Sequence, residues 1–203
     1  FDMVDAIGQR DSGKAIRLLR ELEEAGSGAD SEADLDVPAD PAEGSILLPD
    51  DPASVLADNN HKVFFEDLDF QRVACEKTAK WAEKLAGWVF SDDTNWQTLF
   101  RQRFAIVPND TFDFLCETAV QVDARVRIDD DQKTVAAGAL WYEEALPVET
   151  ILAGLVWCDR VFVNQVNAAT LLANYCEEPL ALQIGGKATV GRGRVNCAFT
   201  GGV

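Results

Sequence analysis

"LQIGGKATVGRGRV", Leu182 to Val195, holds four glycines, a lysine and two arginines, and no acid. The chain around it has 203 residues and a formal net charge of -17. LALQIG (180–185) and RVNCAF (194–199) bracket the glycine loop. They read as two strands joined by a glycine-rich loop. The loop is not a Walker A loop, which needs a hydroxyl residue after glycine-lysine, whereas Ala188 follows Lys187. Nor is it a dinucleotide fingerprint, because no helix opens after Gly193. Two readings stay open. In one, Gly185, Gly186, Gly191 and Gly193 bring bare backbone N–H groups up to phosphate oxygens, while Lys187, Arg192 and Arg194 supply charge. In the other, the loop is a tight turn before the last strand.

Charge sharpens the question. A pI near 4.3 argues against a nucleic-acid footprint spread over the whole molecule. From Leu180 onward, however, there are three cations and no acid. With 47% hydrophobic and 26% charged residues, the composition suits a globular chain with one core. No apolar run nears the roughly 18 residues of a membrane span, and no secretory apolar region opens the chain. Cys75, Cys116, Cys158, Cys176 and Cys197 are odd in number and form no CxxC; with His61 as the single histidine they make no zinc site. They read as reduced thiols of a cytoplasmic protein.

Residues 1–25 form a helical segment and residues 26–52 an acidic Pro/Gly connector, with at most a short strand at Ile46–Leu48. The main part spans 53–203. VFFEDLDF (63–70) predicts a strand, and Val73, Trp81, Leu85, Trp88 and Val89 predict a helix over 71–90. A short helix is expected around Trp96, Leu99 and Phe100, a strand at 105–108, and a helix over 109–121 capped by Asn109 or Asp110. TILAGLVWC (150–158) reads as a buried strand and NQVNAATLLANYC (164–176) as a helix. Strands interleaved with helices make an α+β fold.

Between these lies ARVRIDDDQKTVAAGALWYEEALP, 124–147. Ala124, Val126 and Ile128 alternate with Arg125 and Arg127, the period of a strand with one basic face. KTVAAGALWY returns after a polar turn, so a projecting hairpin is expected, with Lys133 adding to its charge. Asp129, Asp130 and Asp131 read as turn residues, since they lack the alternation, glycine and distal glutamate of a calcium loop. Glu143 and Glu144 could make an acid/base pair, but nothing selects them over exposed strand-end residues. His61 has no partner at a motif spacing. No catalytic residue and no metal ligand is identified.

"RVRIDDDQKTVAAGALWYEEALP" and "LQIGGKATVGRGRV" together resemble the RAMP-superfamily backbone subunit of type III-B (Cmr) CRISPR effector complexes, the fourth of the Cmr set. The resemblance covers about residues 14–197 and takes in VFFEDLDF and AIRLLRELEEAG. It implies an RRM-like (ferredoxin-like) α+β fold with helical insertions, in which 124–147 is a thumb hairpin and 182–195 the superfamily's glycine loop. It further implies guide RNA held along its sugar-phosphate chain by Gly185, Gly186, Lys187, Gly191, Arg192, Gly193 and Arg194. Arg125, Arg127 and Lys133 would meet the guide–target duplex. Target RNA, other Cmr subunits and further copies stacked head to tail are the implied partners, in the cytoplasm and away from membranes. In that family an amino-terminal portion carries the first half of the fold and a loop aspartate that cleaves target RNA with Mg²⁺. Neither is found among these residues, so the expected fold is incomplete at its front and the chain itself needs no cofactor. The alternative is a salt-adapted α+β enzyme or binding module whose glycine loop takes a small phosphorylated ligand; a structural subunit without RNA is a third reading.

Overall fold

The computed structural model describes residues 36–51, 54–65, 67–154, 156–158, 160–162 and 166–199. The expected helical segment at 1–25 and most of the connector's first half lie outside them. The described elements mix helices with small sheets, an α+β architecture. The chain divides into two compact units, one of Phe1–Pro108 with Leu155–Val203 and one of Asn109–Gly154.

In the first unit, β1 (Ser45–Pro49), β2 (Lys62–Phe65) and β3 (Leu68–Cys75) form a sheet in the order β1-β3-β2. β3 runs parallel to β1 and antiparallel to β2. The predicted single strand over 63–70 is therefore two strands with a turn between them. The predicted helix starts later than expected, at Glu76, because Gln71–Cys75 is spent on pairing with Ser45–Pro49. Helical spacing takes over only at Thr78, Trp81, Ala82 and Ala86, the buried face of helix α1 (Glu76–Val89). α1 lies against β1, and the Trp81 indole donates to the Asp36 carbonyl at 3.2 Å.

The core is small. Ile46, Leu48, Val63 and Phe70 form it, with Leu56, Ala57, Leu68, Ala105 and Val107 packed against them. β1 is buried on both faces, as expected of a strand paired in parallel and covered by a helix. The predicted strand at 105–108 amounts to one bridge, in which Leu47 and Ile106 exchange N–H···O bonds of 2.9 Å and close the free edge of β1. Helix α2 (Thr94–Gln102) packs on α1; the Asp93 carboxylate caps it by accepting from the N–H groups of Asn95 and Trp96.

Near its carboxyl end this unit holds α4 (Ala168–Cys176), capped by Asn167, and the antiparallel pair β6 (Leu180–Gln183) and β7 (Arg194–Cys197). The described residues of the apolar run at 150–158 form no strand. Among its described residues Ile151, Leu152, Val156 and Trp157 are exposed and pair with nothing in a sheet. A short apolar run shows only that burial is wanted, and periodicity cannot say by what.

The second unit begins with α3 (Asn109–Thr118), which starts at Asn109 itself and ends short of the predicted 121, since Gln121 already opens β4 (Gln121–Ile128). β5 (Val135–Ala145) returns antiparallel to β4 and completes the hairpin.

Candidate nucleic-acid interface

β6 and β7 are in register from Leu180–Cys197 to Gln183–Arg194, which leaves Ile184–Gly193 as the connection. Its backbone is left-handed at four positions: φ is 81° at Gly185, 65° at Lys187, 80° at Gly191 and 74° at Gly193. Three of these positions are glycine, as that region requires. Gly186 is not among the positive-φ residues, so it contributes bareness rather than a special angle. Ala188–Val190 form a single 3-10 turn between Lys187 and Gly191, closed by Val190 N–H to the Lys187 carbonyl at 3.1 Å and Gly191 N–H to the Ala188 carbonyl at 3.0 Å.

The loop is thus built by its own backbone, with one side chain assisting. Gln183 Nε2 donates to the Arg192 carbonyl at 2.8 Å and Ile184 N–H to the Gly193 carbonyl at 2.9 Å. Gln183 carries no signal in the sequence beyond its place as the last residue of β6. Residues 181–191 and Arg194 are exposed, while Arg192 is half-buried. The structure therefore places Lys187 and Arg192 on one short loop with the four glycines, and Arg194 at the start of β7 beside it.

The hairpin needs correction. Arg125 stands opposite Trp141, and Asp123 opposite Glu143. Arg125 Nε lies 3.3 Å from Glu143 Oε2, a charge contact without hydrogen-bond alignment, and Arg125 Nη2 lies 3.7 Å from Asp123 Oδ2. The expected basic face thus carries two carboxylates that occupy one of its arginines. The other side of the sheet is more open, with Val122 54%, Leu140 56% and Tyr142 67% exposed and Glu144 opposite Val122. The alternation is legible in β4 alone, but the acids that answer Arg125 come from Asp123 and from the facing strand, whose register depends on an irregularity. Between Val126 and Ile128 the pairing shifts from Leu140 to Val135, and Gly138 takes a φ of 69° in the extra stretch.

At the tip, Asp129 Oδ1 accepts from the N–H groups of Asp131 and Gln132 at 3.0 and 2.8 Å. This is the turn role assigned to the acidic run. Lys133, with a φ of 53°, returns its N–H to the Asp129 carbonyl at 2.9 Å. Arg125, Arg127 and Lys133 belong to the hairpin's unit and the glycine loop to the other.

The pattern of the RAMP superfamily matches residues 47–196, from β1 through β7. This chain belongs to the RAMP superfamily. Over 100 residues it is 36% identical to the CRISPR system Cmr endoribonuclease Cmr4 of Pyrococcus furiosus, a match that takes in 46% of this chain and 32% of that protein. Its fold is similar to the crystal structure of oligomeric Cmr4 from the same organism, with a TM-score of 0.51 at 18% identity, covering 91% of this chain and 61% of the other. The chain thus spans less than two thirds of the length of the relatives it matches. No described helix is long and apolar enough to cross a membrane.

Proposed function

We propose that this RAMP protein is a backbone subunit of a type III-B (Cmr) CRISPR effector, acting in antiviral defence by holding guide RNA along its sugar-phosphate chain. The observation that carries the reading is the β6–β7 loop: a backbone held at positive φ at four positions, exposed, and furnished with Lys187, Arg192 and Arg194 in an otherwise acidic chain. Glycines let N–H groups come close to phosphate, and cations supply long-range attraction, without reading sequence. Base pairing then reads the target while the protein holds the chain.

In this reading the β4–β5 hairpin meets the guide–target duplex, and copies stack head to tail beside other Cmr subunits in the cytoplasm. Target cleavage with Mg²⁺ is a property of the complete complex, and no residue of this chain is given the cleaving role. The runner-up, a small phosphorylated ligand in the same loop, shares its chemistry but needs no long RNA.

The test is direct. Native protein should co-purify with short RNA of uniform length, seen on a denaturing gel. The triple variant Lys187→Ala, Arg192→Ala, Arg194→Ala should lose affinity about equally for unrelated RNA sequences. Its salt slope should fall by about 0.7 for each phosphate no longer neutralised. Unchanged affinity and salt dependence would reduce the loop to a turn.

A further inference from the structure

Cys75 is the last residue of β3 and the N-cap of α1, where its thiol is half-buried. Its sulfur makes no cap bond at hydrogen-bond geometry, although it faces the N–H groups of Lys77 and Thr78. Thr78, in the first turn of α1, is fully buried, and its hydroxyl, turned toward the same sulfur, has no hydrogen-bond partner. A buried donor without an acceptor is costly. A neutral thiol is a weak acceptor, whereas a thiolate, or an oxygen carried on the sulfur, is a strong one. Burial alone would raise the thiol, yet these donors and the Lys77 charge lower it on balance. Lys77 is itself paired with Asp36 at 3.0 Å, so the N–H groups and the hydroxyl are the local part of the site.

The other four thiols lack this setting. Cys116 and Cys176 lie in the last turns of α3 and α4, where the negative end of a helix disfavours a thiolate. Cys158 Sγ lies 3.8 Å from the Arg160 carbonyl, to which it donates, and Cys197 ends β7 instead of opening a helix.

We infer that Cys75 is an oxidation site for hydrogen peroxide and related hydroperoxides. The product is a sulfenate, held by the Thr78 hydroxyl and by the N–H groups of Lys77 and Thr78. The thiolate sulfur attacks one peroxide oxygen, and the O–O bond breaks with its electron pair on the other, which leaves as hydroxide. Hydroxide takes the proton of the sulfenic acid, giving sulfenate and water, so sulfur is oxidised and the peroxide reduced. The added oxygen gives Thr78 the acceptor that the reduced thiol does not. The site uses none of the residues assigned to RNA and stands apart from the glycine loop's role.

The experiment treats the full chain with hydrogen peroxide beside a dione reagent that captures sulfenic acids, and peptide mass spectrometry reads which cysteines are labelled. Cys75 should be labelled at least about threefold faster than Cys116, an exposed thiol that would lead if access alone decided. In denaturant that order should vanish, because it depends on the fold. Thr78→Val should leave alkylation of the reduced thiol by iodoacetamide nearly unchanged. It should lower the captured sulfenate about threefold, the effect of one hydrogen bond, as the product goes on to sulfinate. Thr78→Ser keeps the hydroxyl and should restore the yield. Labelling led by Cys116, or an order that survives denaturant, overturns the site. So does a Thr78→Val chain that melts normally and yields as much sulfenate as the unaltered one. If that variant does not fold, the comparison of Cys75 with Cys116 in the unaltered chain decides.

Discussion

Gly193 gives its carbonyl to the Ile184 N–H at 2.9 Å and has no room for a side chain, because a Cβ there would run into the Ile184 carbonyl oxygen and the Gln183 amide. Gly191, two residues earlier, has a similar φ but open space around it. The two glycines therefore separate two causes. Gly191→Ala should cost the left-handed strain alone, about 1–2 kcal/mol. Gly193→Ala should add an overlap worth about 1–3 kcal/mol more and open the end of the β6–β7 pair. Amide exchange at Ile184 checks this: protection should drop much further in Gly193→Ala than in Gly191→Ala.

Lys187 holds a φ of 65° without being glycine, a conformation that costs a side-chain-bearing residue about 1–2 kcal/mol. Lys187→Gly should relieve that strain, offset by about 0.4–1 kcal/mol of extra freedom in the unfolded chain. Its stability should therefore match or exceed that of Lys187→Ala, while both give up the same phosphate. Thermal melts beside RNA titrations at several salt concentrations would show whether backbone and charge separate in this way.

Much of this loop is legible in the sequence, because glycine spacing and clustered cations are local signals. Its strands are legible from the short segments LALQ and RVNC that flank the glycine-rich stretch. Gln183 is not legible, because a glutamine's partner depends on the turn it closes. The hairpin shows the same division. Residues of β4 announce a strand, but the neutralisation of Arg125 requires the register that sets Asp123 opposite Glu143. The strand expected over 150–158 fails for a related reason, as apolar content states a need for a partner and does not supply one.

Cys75 ends β3 and serves as the N-cap of α1. Burial pushes its thiol up, but the Thr78 hydroxyl, the N–H groups of Thr78 and Lys77 and the Lys77 charge outweigh it and hold the thiol below its usual range. The buried Thr78 hydroxyl meets no acceptor at full hydrogen-bond geometry, so the backbone N–H groups are the steadier part of that pull. A depressed thiol contributes stability that is present above the unfolded pKa and lost as pH falls through the folded one. Thiolate absorbance in a variant retaining Cys75 alone should therefore titrate below the ordinary value of about 8.5. Thr78→Val should keep most of that lowering, with stability changed by less than about 1 kcal/mol.

Leu48 is fully buried in the small core, in one cluster with Ile46, Val63 and Phe70. Few other side chains can collapse into the space it fills. Leu48→Ala should cost about 2–5 kcal/mol. Val73, on the adjacent strand, is 43% exposed, and Val73→Ala should cost far less. Denaturant midpoints of the two variants give the comparison, and equal losses would mean that the core does not sit where Ile46, Leu48, Val63 and Phe70 place it.

Arg125 and Arg127 are two residues apart on one strand and are expected to behave differently toward RNA. Asp123 and Glu143 already accompany the Arg125 guanidinium, so its removal also leaves two acids facing each other across the strands. Arg125→Ala should thus weaken RNA binding partly through repulsion and through release of Glu143, and should disturb the hairpin itself. Its cost in stability should stay within about 1 kcal/mol, the usual range for a solvent-screened pair. Arg127→Ala removes an exposed charge and should leave the melting midpoint within error while lowering the salt slope by about 0.7. The double substitution Arg125→Ala, Glu143→Gln takes away one charge of each sign and should recover part of the affinity that Arg125→Ala loses. Salt titrations of these variants against one RNA decide the matter. If Arg125→Ala behaves like Arg127→Ala, with the salt slope of one phosphate and no rescue by Glu143→Gln, then Arg125 meets RNA directly and its carboxylate neighbours do not hold it.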